Sequence, residues 1–404
     1  MLVKEFTIYA LLGCLPVIVT GCDLSGPHEQ AAPAVQLDAV KFWESGASVY
    51  WNGVARDLVV TFGSNPFQAI RGFSVLSAAQ YNAAVAAEAS TEPGQHPSVR
   101  AAVAAASVVV LSYLYPLQAA ALDLQLGNFL ASPEWPGEQN GEQPAGVTIG
   151  QSVGQALVAR AKTDGFFAPW SGTVPTGPGI WFSSATPPAP PIGPQFGKAK
   201  TYFLLSGDQF RPPPPPVFGS PEFLAALAEV RHYSDTRTQE QIDLAKFWDR
   251  PPGLLTPPSY WNKTAADLAV QYHIGEREAA HLFALMNMTG FDAIVASHDA
   301  KYFYWLLRPT QADPAITLVV PLPNFPSYPS NHAALSAAMA AILGRDFPAE
   351  ADRLAGLADQ AALSRVYGGI HYWFDGEAGL VLGRKVADWA IQHDVNGHHP
   401  FVLR

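Results

Sequence analysis

Two cations, Lys301 and Arg308, open the part of the sequence with the clearest capacity for chemistry. They are seven residues apart, a spacing that would place both on one face of a helix, two turns from each other. Pro309 follows directly and is a natural end for such a helix. Two cations alone would indicate a solvated surface, but the aromatic run 302–305 between them favours burial. We therefore take the pair as a candidate site for an oxyanion.

A second segment, from Phe325 to His332, has the sequence Phe-Pro-Ser-Tyr-Pro-Ser-Asn-His and precedes an apolar helical pattern over 333–343. A proline-led turn that opens a helix leaves backbone N–H groups free, and together with the helix dipole these make an anion cradle. Ser330 adds a hydroxyl and His332 a titratable proton. For this segment alone, an ordinary serine N-cap beside a structural histidine would be the better interpretation.

The third segment pairs His371 with Asp375, four residues further on. At that spacing on a helix, the carboxylate can accept the imidazole Nδ1–H and leave Nε2 directed elsewhere. Nucleophilic and metal-ligating histidines are oriented in this way. Arg365 precedes a Gly-Gly break and can fold over the same site, where its guanidinium would bind two oxygens.

Together the segments resemble the signature of the superfamily that contains the type 2 phosphatidic acid phosphatases and the vanadium-dependent haloperoxidases. That signature is Lys-x6-Arg-Pro, then Pro-Ser-Gly-His, then Ser-Arg-x5-His-x3-Asp, and it fixes about ten positions. All three blocks occur here in order, with Asn331 in place of the glycine. Residues 203–216 and 246–262 also resemble the bacterial haloperoxidase-like branch, so the resemblance covers nearly all of the chain beyond its first residues.

The resemblance implies a set of oxyanion-binding groups: Lys301, Arg308, Ser330, Asn331 and Arg365. It implies that His332 is the acid–base group and that His371, oriented by Asp375, is the nucleophile or, with vanadate, the apical metal ligand. Asn331 can supply the backbone N–H that the glycine position requires, and asparagine tolerates unusual backbone angles. We expect its side chain to crowd the cradle and to alter vanadate affinity and substrate fit.

The implied function is that of a vanadium-dependent haloperoxidase, with vanadate on His371, His332 taking the proton of peroxide, and a halide oxidised. The alternative is a vanadate-free acid phosphatase that hydrolyses phosphate monoesters through a phospho-histidine, because vanadate mimics the phosphoryl transition state. Phe325 stands where the resemblance places phenylalanine in chloroperoxidases and histidine in bromoperoxidases, but one residue does not assign the halide. The sequence has no conventional Zn or Fe site.

Membrane-embedded lipid phosphatases of the superfamily carry several spanning helices. Beyond Thr20 this sequence has no apolar stretch of spanning length that is free of Gly, Pro and charge, which favours the haloperoxidase branch. A third hypothesis is a catalytically silent surface lipoprotein, although the intact set of site residues speaks against it.

The elements that must position these residues are helices. Ala-rich segments place apolar residues at helical spacing over 71–88, 99–126 and 221–233, and almost nothing alternates with a period of two. We predict an all-α fold of two packed helical bundles, the second of which carries the site. The predicted divisions are an N-terminal bundle, a proline-rich crossover and a C-terminal bundle: 22–164, 165–221 and 222–404.

The crossover includes five consecutive prolines, 212–216, among many aromatic residues. These neighbours favour a packed connection over a polyproline ligand. The flanking halves share a pattern that indicates an internal duplication, with chance as the alternative. Lys41-Phe42-Trp43, Tyr50-Trp51-Asn52 and Tyr81-Asn82-Ala83 correspond to Lys246-Phe247-Trp248, Tyr260-Trp261-Asn262 and Phe291-Asp292-Ala293.

With 49% hydrophobic and 14% charged residues, the composition is that of a globular protein with a large interior. The net charge of −10 excludes a general nucleic-acid surface, so any anion site must be local. We expect small-molecule substrates, either peroxide and halide or a phosphate ester. The oligomeric state is left open.

The first residues indicate export. A mostly apolar run covers residues 6–20. The segment Val19-Thr20-Gly21-Cys22, at the end of this run, resembles a bacterial lipobox. We expect a signal peptide over 1–21 and a lipoprotein anchored to a membrane only through lipid on Cys22, in the periplasm or at the cell surface. A buried helix and a cleaved soluble signal are the alternatives. Cys14 would leave with the signal, so the mature enzyme could form no disulfide.

Overall fold

The computed structural model describes residues 46–90, 96–132, 142–251, 253–397 and 399–402. Within these ranges the regular secondary structure is helical, apart from two isolated β-bridges. The predicted all-α class is therefore confirmed. The predicted signal peptide, the lipobox-like segment and Lys41-Phe42-Trp43 lie outside the described residues.

The described residues of the first half form five α-helices: α1 (Gly46–Thr61), α2 (Pro66–Glu88), α3 (Val99–Leu114), α4 (Ala119–Ala131) and α5 (Gln143–Lys162). Their starts follow from ordinary capping chemistry. Asn65 accepts the N–H of Gln68, whose side chain accepts the N–H of Asn65 in return, and Pro66 occupies the first helical position of α2. The predicted segment 99–126 is divided because Pro116, which cannot continue α3, starts a single 3₁₀ turn.

The second half forms eight helices: α6 (Pro221–Thr236), α7 (Gln239–Asp249), α8 (Pro257–Gln271), α9 (Glu276–Tyr304), α10 (Pro309–Ala312), α11 (Asn331–Asp346), α12 (Ala351–Tyr367) and α13 (Trp373–Gln392). The longest of them, α9, is buried along most of its length and contacts α2, α11 and α13. By length and apolar composition α9 could cross a membrane, but 94% of its most apolar window is buried inside the protein. It is therefore placed as the central core helix.

The two halves are joined by hydrogen bonds at corresponding positions of α9 and α2. On α9, the carboxylate of Asp292 accepts the N–H groups of residues 202–204, in the segment after α5. At the corresponding position on α2, Asn82 accepts the N–H of Phe401 at 2.8 Å and donates to its carbonyl at 3.1 Å, in the segment after α13. Each of these two long helices thus binds the segment that follows the other bundle, a repeated contact of the kind that the predicted duplication would produce.

A second repeated contact lies in the core. Asn52 and Asn262 each donate to the carbonyl four residues earlier, both at 2.9 Å. Each also donates to an amide on the neighbouring long helix, Gln80 at 2.9 Å and Asn287 at 2.8 Å. The apolar core extends across both bundles and includes Trp51 and Trp261.

The crossover between Lys162 and Pro221 has no helix longer than one turn and lies on the segments that carry the predicted site. The backbone N–H of Trp181 donates to the carbonyl of Trp305 at 2.7 Å. The hydroxyls of Tyr304 and Tyr328 donate to the carbonyls of Pro212 and Pro213, both at 2.7 Å. The proline run is therefore packed against the protein, as its aromatic neighbours indicated, while the domain limits stay a prediction.

Candidate oxyanion site

The three predicted segments meet where α9 ends, α11 begins and α12 connects to α13. The residues predicted for the site are buried, except for half-buried His332: Lys301, Arg308, Ser330, Asn331, Arg365, His371 and Asp375. The sequence thus identified a set of side chains that the fold brings into one region.

The route by which Lys301 and Arg308 meet differs from the prediction. They do not share a helical face, because α9 ends at Tyr304 and Trp305 takes a left-handed conformation with φ 53°. Arg308 is the N-cap of the short helix α10, and Pro309 starts that helix instead of ending the previous one. Both cations nevertheless face the ring of Phe325, at 5.3 Å for Lys301 Nζ and 4.9 Å for Arg308 Cζ.

Lys301 is committed to the loop that precedes α11. Its ammonium donates to the carbonyls of Pro326 at 3.1 Å and Ser327 at 2.7 Å, and also to that of Pro329. An ammonium has three hydrogens, so these carbonyls use all of them. Burial, reinforced by the charge of Arg308, lowers the pKa of Lys301 well below its usual value. In this conformation Lys301 supplies charge to the site and holds the loop.

His371 and Asp375 form the predicted pair by another local geometry. His371 lies before α13, whose N-cap is Tyr372, so the pair does not sit on one helix. Asp375 Oδ2 accepts from His371 Nδ1 at 2.7 Å, from the Tyr372 N–H at 3.1 Å and from the Ser327 hydroxyl at 2.5 Å. Burial raises the pKa of Asp375 to about 6, against the lowering effect of the Ser327 hydrogen bond.

The bond to Asp375 places a proton on Nδ1 of His371 and leaves the Nε2 lone pair free to accept. Arg308 Nη1 lies 3.0 Å from this Nε2 atom and also donates to the carbonyl of Ile370 at 2.7 Å. Burial, together with the charges of Arg308 and Lys301, lowers the pKa of His371 well below its usual value. His371 is thus a neutral imidazole with a directed lone pair, as a nucleophile or metal ligand requires.

The C-terminal end of α7 forms a further wall of the site, which the sequence did not identify as functional. Arg365 donates to the carbonyl of Ala245, and its Nη1 lies 3.5 Å from a carboxylate oxygen of Asp249. His332 Nε2 donates to the carbonyl of Trp248 at 3.0 Å, so its Nδ1 is the acceptor nitrogen. In the sequence, this end of α7 was marked by the repeated Lys-Phe-Trp triplet and by the resemblance of residues 246–262 to the bacterial haloperoxidase-like branch, but neither signal gave its residues a role.

Two buried guanidinium nitrogens in the site are not fully satisfied: Arg308 Nη2 has no hydrogen-bond partner, and Arg365 Nη1 has only the ion-pair contact with Asp249 at 3.5 Å. Burial lowers the pKa of each of these two arginines to about 10, so both remain charged at neutral pH. A buried donor without a partner costs about 1–3 kcal/mol, and more when the group is charged. An oxyanion that accepts from Arg308 Nη2 would remove that cost, and the charged guanidinium of Arg365 offers it a second donor, so this donor set fits a vanadate or a phosphate.

The start of α11 gives the serine cap that was the alternative interpretation. Ser330 Oγ accepts the Ala333 N–H at 3.4 Å, and the Ser330 N–H donates to the carbonyl of Asp375 at 2.8 Å. Asn331 and His332 occupy the first two helical positions, whose N–H groups have no partner within a helix. The expected crowding by Asn331 is not seen, because its amide bonds to Ser297 at 2.7 Å and His298 at 3.1 Å, both on α9.

Comparisons with known proteins agree with this geometry. Residues 281–395 match the family model of the PAP2 superfamily. A bacterial vanadium-dependent iodoperoxidase structure is similar with a TM-score of 0.71 and 21% identity, over 87% of this chain and 96% of that one. Holo and apo structures of a bacterial vanadium-dependent chloroperoxidase give TM-scores of 0.66 and 0.67 at 15% and 16% identity, over 83% of this chain and 93% and 95% of theirs. No curated protein sequence matches the chain.

The resemblance predicted from the three sequence segments is thereby confirmed. The match to the PAP2-superfamily model lies within the second half of the chain, and the site residues at 301–375 all lie within the matched part. The chain as a whole has the fold of the bacterial vanadium-dependent haloperoxidases.

Proposed function

We propose that this protein is a haloperoxidase that binds vanadate at His371 and uses peroxide to oxidise a halide. The observation that carries the proposal is the buried, unpartnered Nη2 of Arg308, which lies with the ion-paired guanidinium of Arg365 in the site of the neutral His371 imidazole. These groups would hold an oxyanion such as vanadate, with charge-assisted donors for its oxygens and one nitrogen ligand from His371.

In this proposal, bound vanadate supplies the peroxide activation and the halide oxidation. The residues of the chain hold and orient it. Arg308 and Arg365 donate to its oxygens, while Ser330 and the backbone N–H groups at the start of α11 add further donors. Asp375 keeps the proton on His371 Nδ1, so that Nε2 stays available as the ligand.

His332 would be the acid–base group in either enzyme. Burial and the charge of Arg365 lower the pKa of His332 well below its usual value. A neutral imidazole is ready to accept a proton from peroxide through Nδ1. In a phosphatase the same group would have to be protonated to act as the acid for the leaving alcohol, and a bound phosphate dianion would raise its pKa towards that form.

The phosphatase alternative rests on the PAP2-superfamily match and on the same neutral His371, which would attack phosphorus. The similarity to iodoperoxidase and chloroperoxidase structures over more than four fifths of the chain supports the haloperoxidase. Peroxide and a halide are accordingly the proposed substrates.

The test is a halogenation assay with bromide or iodide, peroxide and a phenol dye, with and without orthovanadate, beside hydrolysis of p-nitrophenyl phosphate. We expect halogenation that depends on vanadate and is lost in His371→Ala. His281→Ala is the matched control, since His281 lies on α9 and pairs with Asp394 at 2.7 Å, outside the site. Phosphate-ester hydrolysis without halogenation would establish the phosphatase, and neither activity would favour the silent lipoprotein.

A further inference from the structure

A buried histidine outside the family signature contacts the start of α11. His298 lies on α9, one turn before Lys301, and none of its surface is exposed. Its Nδ1 is 3.1 Å from the carbonyl of Gly193 in the crossover, and its Nε2 is 3.1 Å from the Asn331 amide nitrogen. The other end of that amide lies 2.7 Å from the hydroxyl of Ser297.

The donor and acceptor types of these groups fix the direction of the hydrogen bonds that link Gly193, His298 and Asn331. A carbonyl only accepts, so His298 Nδ1 carries the proton and donates to Gly193. Its Nε2 is then the acceptor and must receive an N–H from Asn331. The amide oxygen of Asn331 therefore faces Ser297, whose one hydroxyl hydrogen lies between this oxygen at 2.7 Å and the more distant carbonyl of Ile294 at 3.1 Å. One backbone carbonyl in the crossover thus sets the orientation of a side chain at the first position of α11.

The surroundings keep His298 neutral and in place. Its ring lies against Phe67 with a centroid distance of 4.9 Å, Phe196 at 5.0 Å and Phe325 at 5.8 Å. Burial, with a smaller effect from the charge of Lys301, lowers the pKa of His298 to about 3. A protonated ring would present an N–H to the Asn331 amide nitrogen, so the observed pairing requires the neutral form.

We propose that His298 is a positioning residue for the oxyanion site, acting through the Asn331 amide to fix the first turn of α11. The inference rests on the proposed oxyanion-binding function. The N–H groups of Asn331 and His332 begin that turn, and Ser330 is already tied to Asp375 on the opposite side. With Asn331 bound to α9, the donors at the start of the helix are held from both sides before a ligand arrives.

This link depends on Asn331, which stands where the family signature has glycine. The glycine of the family signature has no side chain through which α9 could hold the turn. The side chain of Asn331 therefore attaches the first turn of α11 to α9 through hydrogen bonds with His298 and Ser297. Loss of either partner should reduce the affinity for the oxyanion without removing any group that contacts it.

Binding of orthovanadate and of inorganic phosphate, measured by isothermal titration calorimetry, tests the proposal. His298→Phe keeps the ring shape among aromatic neighbours but removes both hydrogen bonds, and His298→Gln can restore a donor and an acceptor. We expect the dissociation constant to rise about tenfold or more in His298→Phe and Asn331→Gly, and to recover at least partly in His298→Gln. His281→Phe, on the same helix but outside the site, should leave it unchanged.

Thermal unfolding midpoints, measured alongside, separate positioning from general destabilisation. The proposal is overturned if His298→Phe binds orthovanadate as tightly as the parent, or if His298→Phe and His281→Phe weaken binding equally. A parent protein that binds neither oxyanion would instead contradict the proposed function itself.

Discussion

Arg308 directs a guanidinium N–H at Nε2 of His371 across 3.0 Å, so the atom proposed to bind vanadate is hydrogen-bonded to a neighbouring side chain. The same contact, with burial, keeps His371 neutral. Ligation at Nε2 requires this hydrogen bond to be exchanged, and Arg308 would then donate to the oxygens of the ligand. Arg308 thus both protects the lone pair and supplies a donor to the bound state.

Arg308→Lys tests whether the guanidinium geometry matters beyond its charge. Lysine keeps the charge but loses the fork that reaches Phe325, Ile370 and His371 together. We expect orthovanadate affinity, measured by calorimetry, to fall about tenfold or more, which corresponds to about 1.4 kcal/mol. Arg345→Lys, on α11 and paired with Asp394, is the control. An unchanged affinity in Arg308→Lys would show that charge alone suffices.

His371→Ala and Asp375→Asn should differ in degree. Removal of His371 eliminates the proposed ligand or nucleophile, so halogenation and phosphate-ester hydrolysis should both fall to background. Phosphate binding should be weakened but retained, because Arg308 and Arg365 still supply charged donors. Asp375→Asn loosens the bond that sets the tautomer of His371, with an expected loss of about 10–100-fold. Activity that persists undiminished in His371→Ala would refute the site assignment.

The types and spacing of the chemically active residues were predictable from the sequence, but their routes into the site were not. Lys301 and Arg308 come together through a left-handed turn at Trp305, which ends the helix between them. This turn is held by tertiary contacts such as the hydrogen bond from Trp181, so the spacing of the two cations does not reveal it. His371 lies before the N-cap of α13, whereas Asp375 is in the first turn of that helix and bonds back to the N-cap residue Tyr372. Spacing alone does not distinguish these geometries.

The residues that support the site were missed for a related reason. Ser327, Asp249 and His298 are distant in sequence from the groups they contact, and no local pattern connects them. His298 lies on an apolar helix, where a histidine gives no signal of its partner in the crossover. Such partners depend on how α7, α9 and α11 pack against their neighbours. Sequence periodicity shows which face of a helix is buried, but it does not show which residues of two packed segments lie opposite each other.

Ser327 should set the acid limb of the activity profile. Asp375 must be ionised to hold the proton on His371 Nδ1, and its pKa is about 6, so activity should fall as the pH drops through that value. The Ser327 hydroxyl bonds to the carboxylate and lowers its pKa, so Ser327→Ala should move this limb to higher pH. The kcat/KM profile measures it, with buried Ser107→Ala as the control. A shift to lower pH, or none, would contradict the assignment.

We propose that the mature protein begins at a lipidated Cys22 and partitions with membranes, as the segment Val19–Cys22 predicts. Cys22→Ser should block lipidation and release the protein into the soluble fraction or leave it unprocessed. Cys14→Ser, within the predicted signal, should leave both unchanged. Intact-mass analysis of the exported parent decides the matter, since an unmodified Met1 would exclude the lipoprotein.

Two equivalent glycines allow packing of the bundles to be separated from support of the site. A Cβ on Gly383 of α13 would lie 2.2 Å from the carbonyl oxygen of Ala334 on α11, and a Cβ on Gly150 of α5 would lie 2.1 Å from that of Ala102 on α3. Both alanine variants must push two helices apart, at an expected cost of about 1–3 kcal/mol each. Denaturant unfolding should therefore show similar destabilisation.

Only the Gly383→Ala displacement reaches the site, because α11 carries Ser330 and His332 and α13 carries Asp375. A small shift between these helices separates the donors of α11 from His371, so orthovanadate affinity should fall in Gly383→Ala but stay near the parent value in Gly150→Ala. Calorimetry under conditions where both variants are folded provides the comparison. Equal losses of affinity would mean that the site senses overall stability, whereas the predicted difference would show that the contact between α11 and α13 positions its groups.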